Sequence, residues 1–134
     1  MIGGGPSGLS AALGLARRGF SVQVFYQQKE WKGRVCGAFL SPEALHHLQW
    51  LGLLKKVEER GAPCTHVTIF NASSYSSTIP IVQNGTPGLA LTRKELEEVL
   101  LEEARRQGVL VRKGTRVTGI SKNGRWQVQI CGTE

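Results

Sequence analysis

The sequence contains no aspartate, one methionine and only three cysteines in its 134 residues. The cysteines, Cys36, Cys64 and Cys131, are widely spaced and include no C-x-x-C pair. An odd number of cysteines at these spacings is typical neither of a disulfide framework nor of a zinc site, so we expect no metal. Unpaired cysteines fit a reducing compartment best, which predicts a cytoplasmic protein.

Long apolar runs are also lacking. No segment is apolar over enough residues to span a bilayer, and no basic and apolar leader precedes the first turn. The formal net charge is +7, and five of the ten acidic residues lie within Glu95–Glu103. The basic residues are scattered and have no aromatic cluster among them, which argues against a nucleic-acid partner. Peripheral contact with an anionic membrane surface stays open.

What the sequence does contain is a glycine-rich turn near its start. The turn reads Gly3-Gly4-Gly5-Pro6-Ser7-Gly8, a G-x-G-x-x-G pattern. Gly3 allows a tight strand-to-helix turn, Gly5 lets a pyrophosphate approach the backbone, and Gly8 lets the helix lie close to the sheet. Pro6 suits the first helical turn. The N–H groups and the positive end of the helix dipole would then face phosphate groups.

The residues after this turn complete a strand–helix–strand unit. Leu9–Ala16 is an apolar helical run that ends at Arg17-Arg18-Gly19, and Ser21–Tyr26 reads as a strand. This context makes the glycine pattern more specific than it is alone. Tyr26 stands where such a unit usually has the acid that binds the adenosine ribose. Glu30, a few residues later, is the alternative carboxylate.

Two further helices are marked by their first residues. Ser41 and Pro42 predict an N-cap and first turn, and helical segments should run from there to about Arg60. Thr92 and Glu95 form a capping box, and Gly108 should end the helix that they begin.

The remaining pattern predicts short strands and turns. Strands are predicted at Thr65–Phe70, Thr78–Val82, Val109–Val111 (buried), Thr115–Ser121 and Arg125–Cys131, and turns at Asn84-Gly85, Pro87-Gly88 and Asn123-Gly124. The last two strands form a hairpin.

Four features in order carry a family resemblance. They are the glycine turn, the segment Arg34–Pro42 with its Val-Cys-Gly sequence, Leu91-Thr92-Arg93 with Leu96 and Leu100, and Gly108 before the Val109 strand. With them the chain resembles the amino-terminal part of FAD-dependent oxidoreductases of the geranylgeranyl reductase family. That family is related to the aromatic-ring hydroxylases with the para-hydroxybenzoate hydroxylase fold.

This resemblance implies an α/β, Rossmann-like FAD/NAD(P)-binding fold that is partial and carries strands of an inserted antiparallel sheet. Residues 1–134 would form a single domain, an incomplete fragment in which about 62–90 belong to the inserted substrate-side sheet. We expect such a fragment to be inactive alone, prone to aggregation and weak in FAD binding, because the family's later Gly-Asp segment and substrate domain are missing from it.

The resemblance also implies site residues. The cofactor-binding residues would be Gly3, Gly5, Pro6, Ser7, Gly8, Tyr26, Arg34, Cys36, Gly37, Arg93 and Val117. Cys36 and Gly37 would lie on the flavin side, Arg93 would reach FAD, and Val117 would lie near the adenine. Alternatives are a buried structural role for Cys36 and a solvated charge at Arg93. An arginine in a first turn opposes the helix dipole, which favours a separate purpose such as pairing with phosphate. No catalytic residue can be assigned.

The predicted function is flavin redox chemistry on a small molecule, isoprenoid or aromatic, with NAD(P)H as the possible reductant. One alternative is an NADP-binding dehydrogenase module, in which Lys29, Lys32 and Arg34 accommodate a 2′-phosphate. A second alternative is a non-catalytic nucleotide-binding module.

Overall fold

The structure, a computed structural model, describes residues 1–30, 38–72 and 75–131. The chain divides into two compact units. The first unit combines Met1–Arg34 with Glu97–Glu134, and the second is Val35–Leu96. Within the described ranges, no helix is long and apolar enough to cross a membrane.

Four helices and ten strands are formed by the described residues. The helices are α1 (Pro6–Ala16), α2 (Pro42–Trp50), α3 (Leu54–Glu58) and α4 (Arg93–Arg106). The strands are β1 (Gln23–Tyr26), β2 (Phe39–Leu40), β3 (Ala62–Cys64), β4 (His66–Phe70), β5 (Ser76–Pro80), β6 (Val82–Gln83), β7 (Thr86–Ala90), β8 (Leu110–Lys113), β9 (Arg116–Asn123) and β10 (Arg125–Cys131).

The first unit is built on a short parallel sheet with β1 in its middle. On one side β1 pairs with β8, with Tyr26 opposite Lys113. On the other side the Gly3 N–H donates to the Phe25 carbonyl, and the Phe25 N–H donates to the Met1 carbonyl, both at 2.9 Å. Met1-Ile2 therefore pairs parallel to β1 and leads directly into the glycine turn and α1.

Helix α1 packs on β1 through small and branched apolar side chains. Leu13 and Val24 are fully buried, and Leu9 is almost so. From α4 the same unit buries Leu100 and Ala104. Each large side chain of this kind stabilises the fold by about 1.5–3 kcal/mol when it is fully buried. This core holds the start of α1 against the carboxyl end of β1.

The third strand of the sheet is less buried than predicted. The structure has β8 over Leu110–Lys113, and Leu110 is 53% exposed, although the preceding Val109 is buried. The apolar run Val109–Val111 indicated a buried strand, but β8 is the last strand of this sheet within the described ranges. An outer strand needs apolar side chains on one face only.

The hairpin predicted for the end of the chain is confirmed. Strands β9 and β10 are antiparallel and join at Gly124, whose φ of +68° favours glycine. The Lys122 ammonium lies 5.5 Å from the centre of the Trp126 ring. Cross-strand pairs of this kind help to fix the register of a hairpin.

In the second unit, one of the two predicted turns is confirmed and the other is wrong. Asn84 and Gly85 do form a two-residue turn with positive φ at both positions, but Pro87 and Gly88 lie inside β7. Strand β7 is the central strand of a small antiparallel sheet, with β2 on one side and β3 on the other. A Cβ on Gly88 would lie 2.3 Å from the Phe39 ring. Glycine here permits close approach between strands, whereas the Pro-Gly pattern predicted a turn.

The predicted N-cap and strand pair of this unit are present, although the strand predicted at Thr78–Val82 is divided into β5 and β6. Ser41 caps α2 by accepting a hydrogen bond from the Ala44 N–H at 3.4 Å. Strands β4 and β5 pair with Val67 opposite Ile79. Both strands are exposed along their whole length. A hairpin with exposed apolar side chains offers a surface to other protein or to a ligand.

The capping box of α4 is also confirmed. The Glu95 N–H donates to the Thr92 hydroxyl oxygen at 3.2 Å, and the Thr92 hydroxyl and N–H donate to the Glu95 carboxylate at 2.6 and 3.2 Å. Farther along the helix, the buried Glu103 carboxylate accepts hydrogen bonds from Arg106 and Gln107. Both ends of α4 are therefore fixed by side chains of the helix itself.

The capping box should make the stability of α4 depend on pH. Hydrogen bonds from Thr92 hold the pKa of Glu95 below its ordinary value of 4.5. A lowered pKa stabilises the folded chain above pH 4.5, and this contribution is lost as the pH falls through the folded-state pKa. Glu95→Gln should thus lower the thermal midpoint at neutral pH, with a difference from wild type that shrinks in acid.

The measurement is thermal unfolding followed by circular dichroism from neutral pH to acid. Glu58→Gln, at an exposed position of α3, removes the same charge without altering the cap and corrects for net charge. A difference between Glu95→Gln and wild type that stayed constant, or grew, in acid would contradict the prediction.

Candidate functional site

The glycine turn is constrained at two of its glycines. Gly3 has a φ of +103°, which other residues rarely adopt. A Cβ on Gly8 would lie 2.0 Å from the Gly3 carbonyl oxygen, so no side chain fits there without opening the turn. Gly8 was predicted to bring the helix close to the sheet. The contact that excludes a side chain is instead with the backbone of the turn.

The start of α1 is not capped by a side chain of its own N-cap residue. Gly5 is the N-cap residue and provides no side-chain hydrogen bond, and the first turn contains no acidic residue. Pro6 is the first helical residue, as predicted, and Ser7 is exposed. N–H groups in a first helical turn have no acceptor within the helix, and an anion can satisfy them.

These observations fit a dinucleotide pyrophosphate. Gly5 has an extended conformation, with φ −78° and ψ −177°, that any residue can adopt. Backbone strain therefore does not require glycine at position 5. A glycine there leaves the helix end open to a ligand, as the spacing of the motif predicts.

Tyr26 lies directly against the glycine turn. A Cβ on Gly4 would lie 2.5 Å from Tyr26 Cγ, so the ring covers the backbone at Gly4. The Tyr26 carbonyl accepts a hydrogen bond from the Thr115 N–H at 3.0 Å. Val117, two residues farther along, is half-buried at the start of β9. The structure thus brings the turn, Tyr26 and the β9 segment together at the carboxyl end of β1.

A carboxylate that sequence reasoning missed completes this cluster. The Tyr26 hydroxyl lies 3.0 Å from Gln28 Oε1 and 3.2 Å from Glu97 Oε2, both hydrogen-bond acceptors. Glu97 is only 8% exposed, whereas Glu30, the predicted alternative, is exposed. The signal was present in the helical period, because Leu100 and Ala104 follow Glu97 by three and seven residues on the apolar face.

Of the four predicted cofactor-binding residues that remain, the structure describes one. Arg93 is the first residue of α4 and belongs to the second unit. Arg34, Cys36 and Gly37 lie outside the described residues. Among the residues that the structure does describe, no group of three or more His, Cys, Asp or Glu side chains could hold a metal ion.

Comparison with known proteins identifies relatives of this arrangement. The chain is 34% identical over 115 residues to 3-hydroxybenzoate 6-hydroxylase of Polaromonas naphthalenivorans (strain CJ2), covering 81% of this chain and 29% of that protein. It is 27% identical over 133 residues to the FAD-dependent monooxygenase OpS4 of Beauveria bassiana (strain ARSEF 2860), covering 92% of this chain and 31% of that protein.

The fold is likewise found in solved structures. The crystal structure of p-nitrophenol 4-monooxygenase PnpA from Pseudomonas putida DLL-E4 superposes with a TM-score of 0.87 at 21% identity, covering 98% of this chain and 35% of that one. This likeness confirms the predicted partial α/β fold. The chain therefore spans about a third of the length of the proteins it matches.

The family comparison agrees with the geometry of the turn. The family described as FAD binding domain matches residues 1–128, which include the glycine turn, Tyr26, α4 and most of the last hairpin. The chain belongs to this FAD-binding domain family, and its cofactor is FAD.

Proposed function

We propose that this chain is the FAD-binding part of a flavin-dependent monooxygenase that hydroxylates a small aromatic molecule. The observation that carries the proposal is the start of α1, where the N-cap is a glycine without a side-chain hydrogen bond, next to the tight Gly3–Gly8 turn. Bound FAD would supply the electron transfer and the chemistry with oxygen. The relatives of this chain are named as a hydroxylase and monooxygenases, which supports this type of reaction.

The glycine turn holds the pyrophosphate. N–H groups of the first turn of α1 donate to the phosphate oxygens, and the positive end of the helix dipole favours their charge. Gly5 leaves room for the phosphate, and Pro6 begins the helix without an N–H to satisfy. Ser7, exposed in the first turn, has a hydroxyl that can donate a further hydrogen bond.

Arg93 contacts FAD from the first turn of α4. The capping box with Thr92 and Glu95 fixes the start of this helix. A cation at a helix N-terminus opposes the dipole, so this position is unfavourable for an arginine with no other purpose. A charge-assisted contact with FAD offsets that cost.

The remaining assignments complete the domain. By the same resemblance, Arg34, Cys36, Gly37 and Val117 are assigned to FAD binding. Residues 1–134 belong to one FAD/NAD(P)-binding domain, in which about 62–90 belong to the inserted substrate-side sheet. The hairpin of β4 and β5 supports this division, because its exposed strands include Val67, Ile69 and Ile79, all at least 42% exposed.

The narrower resemblance to geranylgeranyl reductases gives the second candidate function. In that case the substrate would be an isoprenoid, and the reaction would reduce one of its double bonds. The resemblance depends largely on the Arg34–Pro42 segment. The hydroxylase assignment is preferred because the similar proteins carry names of that chemistry. In both cases NAD(P)H reduces the flavin. An NADP-binding module is disfavoured, because the family that matches residues 1–128 is described as FAD binding domain.

The function is tested with the purified intact protein. Flavin absorption bands, NAD(P)H oxidation stimulated by a phenolic acid, and mass-spectrometric incorporation of one ¹⁸O atom from labelled O₂ are expected. Reduction of an isoprenoid double bond without oxygen incorporation would instead support the reductase. A protein without flavin bands and without FAD affinity would contradict both.

Replacing Gly5 tests the phosphate site. Gly5→Val places a branched side chain at the helix end where the pyrophosphate should lie, and FAD binding should be abolished. Because Gly5 is not strained, the fold should persist. FAD titration followed by flavin fluorescence measures the loss. Ala11→Val, at an exposed position of α1, is the matched control and should bind FAD normally. Unchanged affinity in Gly5→Val would exclude this turn as the phosphate site.

Replacing Arg93 tests the second contact. Arg93→Ala should weaken FAD binding by about 1.5–3 kcal/mol, the usual contribution of a hydrogen bond to a charged group. The neighbouring Lys94→Ala removes the same charge from the first turn and should have little effect. Titration calorimetry with FAD compares the two variants. A change of less than about threefold for Arg93→Ala, below 1 kcal/mol, would show that Arg93 is a solvated charge.

A further inference from the structure

We propose that Tyr26 is a positioning residue, whose ring fixes the glycine turn in the conformation that receives the FAD pyrophosphate. The ring acts by packing on Gly4, within the turn itself. This role rests on the proposed function, since it needs FAD at the glycine turn. It gives the residue that stands in place of the usual ribose acid a task in forming the phosphate site.

The glycine turn has a sequence that does not hold its own shape. Gly3, Gly4 and Gly5 are consecutive, and glycine loses more conformational freedom on ordering than any other residue. A loop that orders only when its ligand arrives loses affinity by the cost of that ordering. Two backbone hydrogen bonds flank the turn, from the Gly3 N–H to the Phe25 carbonyl and from the Leu9 N–H to the Gly5 carbonyl, both at 2.9 Å. Gly4 lies between them.

Gly4 is the point at which the ring meets the turn. Gly4 is buried, and a Cβ there would lie 2.5 Å from Tyr26 Cγ, 2.8 Å from Tyr26 Cβ and 2.9 Å from Tyr26 Cδ1. Its φ is not positive, so backbone strain does not require glycine at this position. The G-x-G-x-x-G pattern leaves the position unspecified as well. The close contact with Tyr26 is therefore the reason for a glycine here.

The ring is itself held at both of its ends. The backbone of Tyr26 pairs with β8, and its carbonyl accepts a hydrogen bond from the Thr115 N–H at 3.0 Å. The Tyr26 hydroxyl lies 3.0 Å from Gln28 Oε1 and 3.2 Å from Glu97 Oε2, and Glu97 is buried. A ring fixed in this way transfers the rigidity of the sheet to Gly4. The turn is then ordered before the cofactor binds.

Titration calorimetry of the flavin-free intact protein with FAD tests the role of the ring. Tyr26→Phe keeps the ring and should retain most of the affinity. Tyr26→Ala should weaken FAD binding about tenfold, as expected when about one backbone residue regains its freedom. Tyr75→Ala is the matched control, the same truncation at an exposed position of the second unit, and should bind FAD like wild type. Unchanged affinity in Tyr26→Ala, or equal losses in the two Tyr26 variants, would overturn the proposal.

Hydrogen exchange of the flavin-free protein separates positioning of the turn from a direct contact between the ring and FAD. In Tyr26→Ala, mass spectrometry should show faster exchange than wild type in the peptide that contains the Gly3 and Leu9 N–H groups. In Tyr26→Phe the exchange should stay close to that of wild type. A ring that only contacts FAD would leave exchange in this peptide unchanged in every variant. That result would contradict the proposal even if FAD affinity fell.

Gly4→Ala gives a second test, which does not depend on the folding of Tyr26→Ala. The added methyl group collides with the ring, so this variant should also lose FAD affinity and exchange faster at the turn. In the double variant with Tyr26→Ala, two of the three closest atoms are gone, and Gly4→Ala should weaken FAD binding by a smaller factor than it does alone. Full affinity in Gly4→Ala, or the same factor in both backgrounds, would overturn the pairing. Wild-type protein that bound no FAD would instead contradict the proposed function.

Discussion

The close approach of Gly8 to the Gly3 carbonyl oxygen is the constraint on which the first unit depends. A Cβ on Gly8 would lie 2.0 Å from this oxygen. Because Gly8 has no Cβ, the chain can pass from strand to helix within a few residues. Helix α1 therefore starts directly at the carboxyl end of the sheet, with Gly5 as an N-cap that lacks a side chain. Because this N-cap has no side chain, it does not occupy the first N–H groups of the helix, and N–H groups of this kind can bind a phosphate.

Tyr26 connects this turn to the rest of the unit. Its backbone pairs with β8 and accepts from Thr115, its ring lies on Gly4, and its hydroxyl reaches Glu97. A glutamate at position 26 would lack the aromatic ring that packs over Gly4. Tyr26 thus connects the glycine turn, β8 and the buried Glu97 of α4 through its backbone and one side chain.

Sequence reasoning succeeded where a local rule determines the structure. The capping box at Thr92, the N-cap at Ser41 and the turn at Gly124 each depend on a few neighbouring residues, and all three are present. It failed where tertiary contact decides. Gly88 lies in a strand because the Phe39 ring packs on it, and Glu97 is buried by partners far away in the sequence. Glu97 is one of five glutamates within Glu95–Glu103, but the helical period places it beside Leu100 on the apolar face.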